Sequence, residues 1–174
     1  MRPEINLNKF NMKQVQFLVI QGKCNSGKTT TTRMVYKELS LRASEVKFLC
    51  NRDNNQWVTG VDLPNDPADF TALMTVNGKK VGIISAGDVA TTLERDIKNC
   101  IQEGADIIIC CVRSRGSSLK LLKDNYFSEL PCNYKIFSVE DLPDFNEGLK
   151  IKGQVADVIV NKVLNIIKEL NTNA

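Results

Sequence analysis

The stretch Gly22-Lys23-Cys24-Asn25-Ser26-Gly27-Lys28-Thr29-Thr30 holds two glycines five positions apart, a lysine directly after the second, and hydroxyl side chains after that. This spacing suits the binding of phosphate. A glycine-rich turn lets successive backbone N–H groups point inward at phosphate oxygens. The start of a helix adds its dipole to the same spot. Lys28 then supplies a mobile positive charge for the outer phosphates, and the Thr29 hydroxyl is placed to ligate magnesium. All nine residues, Gly22 to Thr30, are therefore candidates for holding a nucleotide.

Such a loop works with a carboxylate that holds magnesium through water. In the segment Val81–Asp88, VGIISAGD, no acid ends the apolar run, and Asp88 follows three residues after Ser85. Asp88 is read as the second magnesium residue beside Thr29, or as the group that orients a water or accepts a proton. The plain alternative is that it caps the next helix, a role aspartate fills well. Gly87 can offer a backbone N–H to a terminal phosphate. Asp53, after the run FLCNR, can accept the proton of an attacking hydroxyl, with Arg52 holding an acceptor's phosphate; otherwise both are polar loop residues. In CVRSRGSS, Arg113 and Arg115 follow an apolar run and can clamp a transferring phosphoryl group, because guanidinium binds phosphate bidentately and keeps its proton. Gly116-Ser117-Ser118 is a further anion-binding candidate, and a solvent-facing basic loop is the ordinary alternative. The chain has no histidine, so proton transfer falls to carboxylates, lysines or water.

The elements that must position these residues follow from hydrophobic pattern. Residues 15–20, VQFLVI, read as a buried strand that runs into Gly22, and residues 28–41 as a helix. A second strand covers 46–50. Residues 51–69 have no clean period and read as one long loop, a length that marks functional or mobile segments. Asn77-Gly78 between β-prone runs predicts an antiparallel hairpin of 70–76 with 80–85. Val89, Leu93, Ile97, Cys100 and Ile101 share a helix face, which Gly104 ends. Residues 106–112 form an apolar strand of the parallel-sheet kind. A helix capped by Ser117 or Ser118 and ended by Pro131 follows, then a strand over 134–139, a Pro/Gly loop over 141–153 and a last helix from Val155. Alternating strands and helices predict an α/β fold with helices on both faces of a mostly parallel sheet, and with one antiparallel hairpin strand at an edge.

The pattern Gly22, Gly27, Lys28, Thr29, placed between strand and helix, resembles the phosphate loop of the P-loop NTPase superfamily. The motif covers Gly22–Thr29, and the αβ order covers most of the chain. The resemblance implies the three-layer fold of that superfamily, a nucleoside triphosphate and Mg²⁺. Lys23, five positions before Lys28, is similar to the extra lysine of a branch that includes dimeric ATPases of partition and division systems. Cys24 and Asn25 stand where that branch has glycines. The hairpin before SAGD resembles that of small GTPases, where the strand ends in D-x-x-G; Gly87 matches the glycine, but Ile84 stands at the aspartate position. The guanine-reading pattern N-K-x-D is missing, since Asn161-Lys162-Val163-Leu164 lacks the aspartate. ATP is therefore expected over GTP, with residues 140–148 as a wall for its base.

Bulk properties narrow the function further. With 174 residues the chain is long enough for one domain with a core. Residues 12–174 are read as that domain, and 1–11 as a poorly ordered extension. A net charge of +3 is too balanced to indicate nucleic acid. Six cysteines without a C-x-x-C pair, in a chain without histidine, argue against a zinc site and read as reduced core thiols of a cytoplasmic protein. No apolar run is long enough for a membrane span, and the N-terminus lacks a secretory apolar core. The expectation is a small phosphotransferase that uses Mg-ATP on a small-molecule or nucleotide acceptor. The alternative is a nucleotide-dependent switch or ATPase acting through a protein partner or a homodimer.

Overall fold

A computed structural model describes residues 14–22, 28–65, 68–128, 132–138 and 145–173. Among these residues, seven strands and four helices follow one another as β1 (Val15–Gly22), α1 (Lys28–Ser40), β2 (Ala43–Asn51), β3 (Gln56–Thr59), β4 (Thr71–Val76), β5 (Lys79–Ile84), α2 (Ala90–Gln102), β6 (Ile107–Arg113), α3 (Ser117–Leu121), β7 (Cys132–Ser138) and α4 (Phe145–Thr172). The strands form one sheet in the order β3-β2-β4-β5-β6-β1-β7. β1 runs parallel to both β6 and β7, and β5 runs parallel to β6.

Strand alternation builds two cores from the same strands. Along β1, Leu18 and Ile20 face the layer that holds Val35 and Leu39 of α1 and Ile159 and Val163 of α4. Phe17 and Val19 face the layer that holds Leu93 and Ile97 of α2, with Leu122 and Tyr126 after α3. The apolar run of β6 splits the same way, Ile107 and Ile109 to the first layer and Ile108 and Cys110 to the second. Helices therefore cover both faces of a mostly parallel sheet, as the unbroken apolar runs predict.

The hairpin forms on Asn77-Gly78, both in the left-handed region, φ 49° and 80°. Such a turn twists with the strands it joins. β4 is not an edge strand, however: it pairs antiparallel with β5 on one side and with β2 on the other. Its residues are buried on both faces, with Ala72 and Met74 in one core and Leu73 in the other. A second antiparallel strand, β3, lies at the edge and pairs with β2, so residues 51–69 are not one structureless loop. The turn before β3 is built by side chains: the Asn51 Oδ1 accepts the N–H groups of Asp53 and Asn54 at 3.1 and 3.2 Å. Such Asx turns are local chemistry that a search for hydrophobic period does not register.

Two more expectations change. The N-cap of α3 is Gly116, with φ 124°, and neither Ser117 nor Ser118 caps it. After five residues that helix widens into a π-helical turn, Leu122–Phe127. The last helix begins at Phe145, inside the expected Pro/Gly loop, and runs for 28 residues. Gly148 and Gly153 lie within it. Each glycine costs a helix about 1 kcal/mol. Ala156, Ile159, Val163, Ile166 and Ile167 are all buried against the sheet and α1. Among the described residues no helix is long and apolar enough to cross a membrane.

A Cβ added to Gly153 meets no heavy atom within 4 Å. Gly153→Ala is therefore expected to stabilise the protein by about 0.5–1 kcal/mol, read as a higher urea midpoint at unchanged slope. An unchanged or lower midpoint would contradict the continuous helix.

Candidate functional site

The parallel register brings Gly22, the last residue of β1, level with Arg113, the last of β6. Both strands end at the same edge of the sheet, where open α/β sheets place their ligands. The Gly22 carbonyl accepts two hydrogen bonds, from the Lys28 ammonium at 3.0 Å and from the Ser114 N–H at 3.1 Å. It thus joins the end of β1, the start of α1 and the exit of β6.

Lys28 is 7% exposed, so its charge is largely removed from bulk water. Its Nζ lies 3.8 Å from the Asp88 Oδ1, and the Arg113 Nε approaches the same oxygen at 3.2 Å. Asp88 and Arg113 are each about half exposed, at 47%. Two cations and one carboxylate therefore meet at the carboxyl ends of β1 and β6. Asp88 is not the cap of α2: Val89 takes that position, and no side chain caps the helix. With its Oδ1 shared between two cations, Asp88 is a poor direct seat for a third positive charge.

The loop that carries Asp88 comes close to the sheet. A Cβ built on Gly87 would fall 1.5 Å from the Cys111 carbonyl oxygen, so no side chain fits there without backbone movement. Below the mouth, the Thr32 hydroxyl donates to the Lys28 carbonyl at 2.7 Å and lies 2.9 Å from the Cys111 thiol. Burial pushes the Cys111 thiol up to about 12, against the opposing pull of the Thr32 hydrogen bond and the Lys28 charge. At neutral pH it is a protonated buttress and not a nucleophile.

Of the other predicted residues, Thr29 and Thr30 lie partly buried in the first turn of α1. Lys23, Cys24, Asn25, Ser26 and Gly27 lie outside the described residues. Arg115 is exposed beyond the end of β6. Gly116 caps the start of α3, where Ser117 is exposed and Ser118 is buried. Residues 140–144 of the expected base wall lie outside the described residues, and from Phe145 the chain is helical.

Arg52 and Asp53 do not join this mouth. β2 is separated from β1 by β4, β5 and β6, four strand spacings or about 19 Å. Arg52 and Asp53 turn instead to α2, which packs on the face of the sheet opposite α1. Asp53 pairs with Arg95 at 2.9 Å, both exposed. The Arg52 Nε donates to the fully buried Asp96 at 2.9 Å, Thr71 donates to the same carboxylate at 2.9 Å, and Asn99 donates to the Arg52 carbonyl. The Asp96 hydrogen bond raises the Arg52 pKa from its usual value, with burial opposing. This cluster fastens the β2–β3 turn to α2 and leaves Asp53 far from Lys28.

The structure adds a carboxylate that the sequence reading passed over. Asp69 precedes β4, and the hairpin register Thr71↔Ile84 carries the entrance of β4 alongside the exit of β5. There the buried Ser85 hydroxyl accepts the Phe70 N–H at 2.7 Å and lies 3.1 Å from both the Asp69 Oδ1 and the Phe70 carbonyl. The signal was present in Asn77-Gly78: counting outward from that turn pairs residue 70 with 85. Among the described residues no group of three or more His, Cys, Asp or Glu side chains is placed to hold a metal unaided.

No family model matches the chain. No solved structure matches it either. Among curated proteins it is similar to a DNA-directed RNA polymerase subunit alpha from Mycoplasmoides gallisepticum, 27% identical over 128 residues. That match covers 69% of this chain and 38% of the polymerase subunit. So distant a likeness assigns no family.

The contact at Gly87 gives a direct check on this geometry. Gly87→Ala must push the 85–89 loop off the Cys111 carbonyl and is expected to cost about 1–3 kcal/mol in denaturant unfolding. A variant as stable as the parent would show that the loop does not sit against β6.

Proposed function

We propose that this chain is an ATP-binding P-loop protein that holds Mg-ATP at Gly22–Thr30 and passes its terminal phosphoryl group to a small-molecule or nucleotide acceptor. The observation that supports this most is the convergence of Lys28, Arg113 and Asp88 at the end of the strand that leads into the glycine-rich loop. Lys28 and Arg113 are the charges that would receive the outer phosphates, and Arg113 would balance the charge that develops on a transferring group. Asp88, within reach of both, is the group able to take a proton from an acceptor hydroxyl. Magnesium fits a site of this kind without a dedicated protein cage, because it keeps most of its waters and binds through one or two protein groups plus phosphate oxygens. Thr29 is the hydroxyl that would hold it, and there the ion would neutralise phosphate charge. Arg52 and Asp53, tied to α2, take no part.

A second reading, a nucleotide-dependent switch or ATPase working through a protein partner or a homodimer, draws support from the same carboxylate. Asp88 lies on the short segment that enters α2 and is shared by two phosphate-binding cations. A phosphate that draws those cations away alters what holds this end of α2.

Calorimetric titration with Mg-ATP is expected to show saturable binding. Lys28→Ala should weaken it by about 2–3 kcal/mol, on the order of a hundredfold. A lack of binding to Mg-ATP and Mg-GTP alike would overturn the assignment. A transferase turns over slowly alone and much faster with one acceptor from a metabolite panel. A switch hydrolyses slowly without any acceptor and changes its oligomeric state between ADP and ATP.

A further inference from the structure

We propose that Asp69, held on the Ser85 hydroxyl at the entrance of β4, is the carboxylate that positions magnesium opposite Thr29, and that Asp88 serves the phosphate-binding cations instead. This rests on the reading of Gly22–Thr30 as a nucleotide site.

The first support is the division of α1 into two sides. Residues four apart on a helix share a face. Lys28 and Thr32 share one, and it looks toward β6 and Asp88, as the contacts to Cys111 and Asp88 show. Thr29 and Arg33 share another. Arg33 donates to the Pro64 carbonyl at 2.6 Å and to the Ala68 carbonyl, and its guanidinium lies 5.6 Å from the centre of the Phe70 ring. The segment leading into β4 is therefore fastened to the face of α1 that carries Thr29. One turn further along, Asp62 of the same segment acts electrostatically on Tyr36. The described contacts of this segment with α1 thus gather at Arg33, one turn beyond Thr29, and Asp69 directly follows Ala68.

The second support is anchoring. Ala68, just before Asp69, is held by Arg33, and Phe70, just after it, is held by Ser85 through both its N–H and its carbonyl. Ser85 is 4% exposed, whereas the Asp69 carboxylate is exposed at the same edge of the sheet. Ser85 closes the apolar run of β5, where the sequence lacks an acid, and Asp69 brings one there from the neighbouring strand.

The third support is charge. Asp88 already faces Lys28 and Arg113 through one oxygen, which opposes a divalent cation at that oxygen. No ion pair with lysine or arginine within 4.0 Å involves Asp69 among those found for the described residues. Lys28, Asp69 and Asp88 all act electrostatically on the Cys111 thiol, the lysine lowering and the two carboxylates raising its pKa.

The test is the ratio of ATP affinity in magnesium to that in chelator, measured by calorimetry on the full chain. Asp69→Asn is expected to leave the affinity in chelator unchanged and to lower the ratio by about tenfold or more, the range typical for groups that orient metal ligands. Ser85→Ala, which keeps the carboxylate but removes its anchor, should lower the ratio less. Asp88→Asn should alter the affinity in chelator and keep the ratio. An Asp69→Asn ratio equal to that of the parent overturns the assignment of Asp69 while leaving the nucleotide site standing. If the parent chain binds no ATP in either condition, both fall together. Circular dichroism melts monitor folding; if Asp69→Asn does not fold, an unchanged ratio in Ser85→Ala overturns the proposal in its place.

Discussion

The register between β1 and β6 is the constraint on which the rest of the mouth depends. Pairing Gly22 with Arg113 ends both strands at one level and leaves the Gly22 carbonyl to take the Lys28 ammonium and the Ser114 N–H. A slip of one residue would turn every side chain of β1 to the other face of the sheet. Phe17 and Val19 would then exchange places with Leu18 and Ile20, which lie in separate cores. The two cores therefore fix the register, and the register fixes where the lysine stands. Charge-assisted hydrogen bonds are among the stronger ones, and here one ties Lys28 to the Gly22 carbonyl.

The first turns of α1 then divide the labour. On one side Lys28 and Thr32 look to β6, Cys111 and Asp88; on the other, Arg33 gathers the segment before β4. Each side comes from a different strand of the sheet, so the mouth is assembled by three-dimensional proximity across β1, β6, β5 and β4. The position of β6 between β5 and β1 means that the 85–89 loop must pass over a strand end to reach Lys28. Gly87 is the residue small enough to allow that approach, directly over the Cys111 carbonyl.

What the sequence made legible was local. The runs at 15–20 and 106–112 are apolar because both faces are covered, and Asn77-Gly78 announces its own turn. The order of strands is not local, and the errors follow from that. Arg52 and Asp53 end a strand at the correct edge, yet three strands stand between them and β1, and α2 offers them Asp96 and Arg95 first. The place of Asp69 depends on the pairing of β4 with β5 and not on its neighbours in sequence. The first turns of α4 were hidden by Gly148 and Gly153, residues that ordinarily weaken a helix. β3 was hidden by a turn built from asparagine side chains, which has no hydrophobic period to detect.

On the proposed function, a triphosphate lies in the Gly22–Thr30 loop and draws on the charges gathered at that edge. A crystal structure of the full chain with magnesium and a non-hydrolysable ATP analogue tests it most directly. Phosphate oxygens are expected against the backbone N–H groups of that loop, with the Lys28 ammonium turned from the Gly22 carbonyl to the outer phosphates. An analogue bound elsewhere on the sheet, or a loop with Lys28 still on Gly22 at saturating ligand, would contradict it.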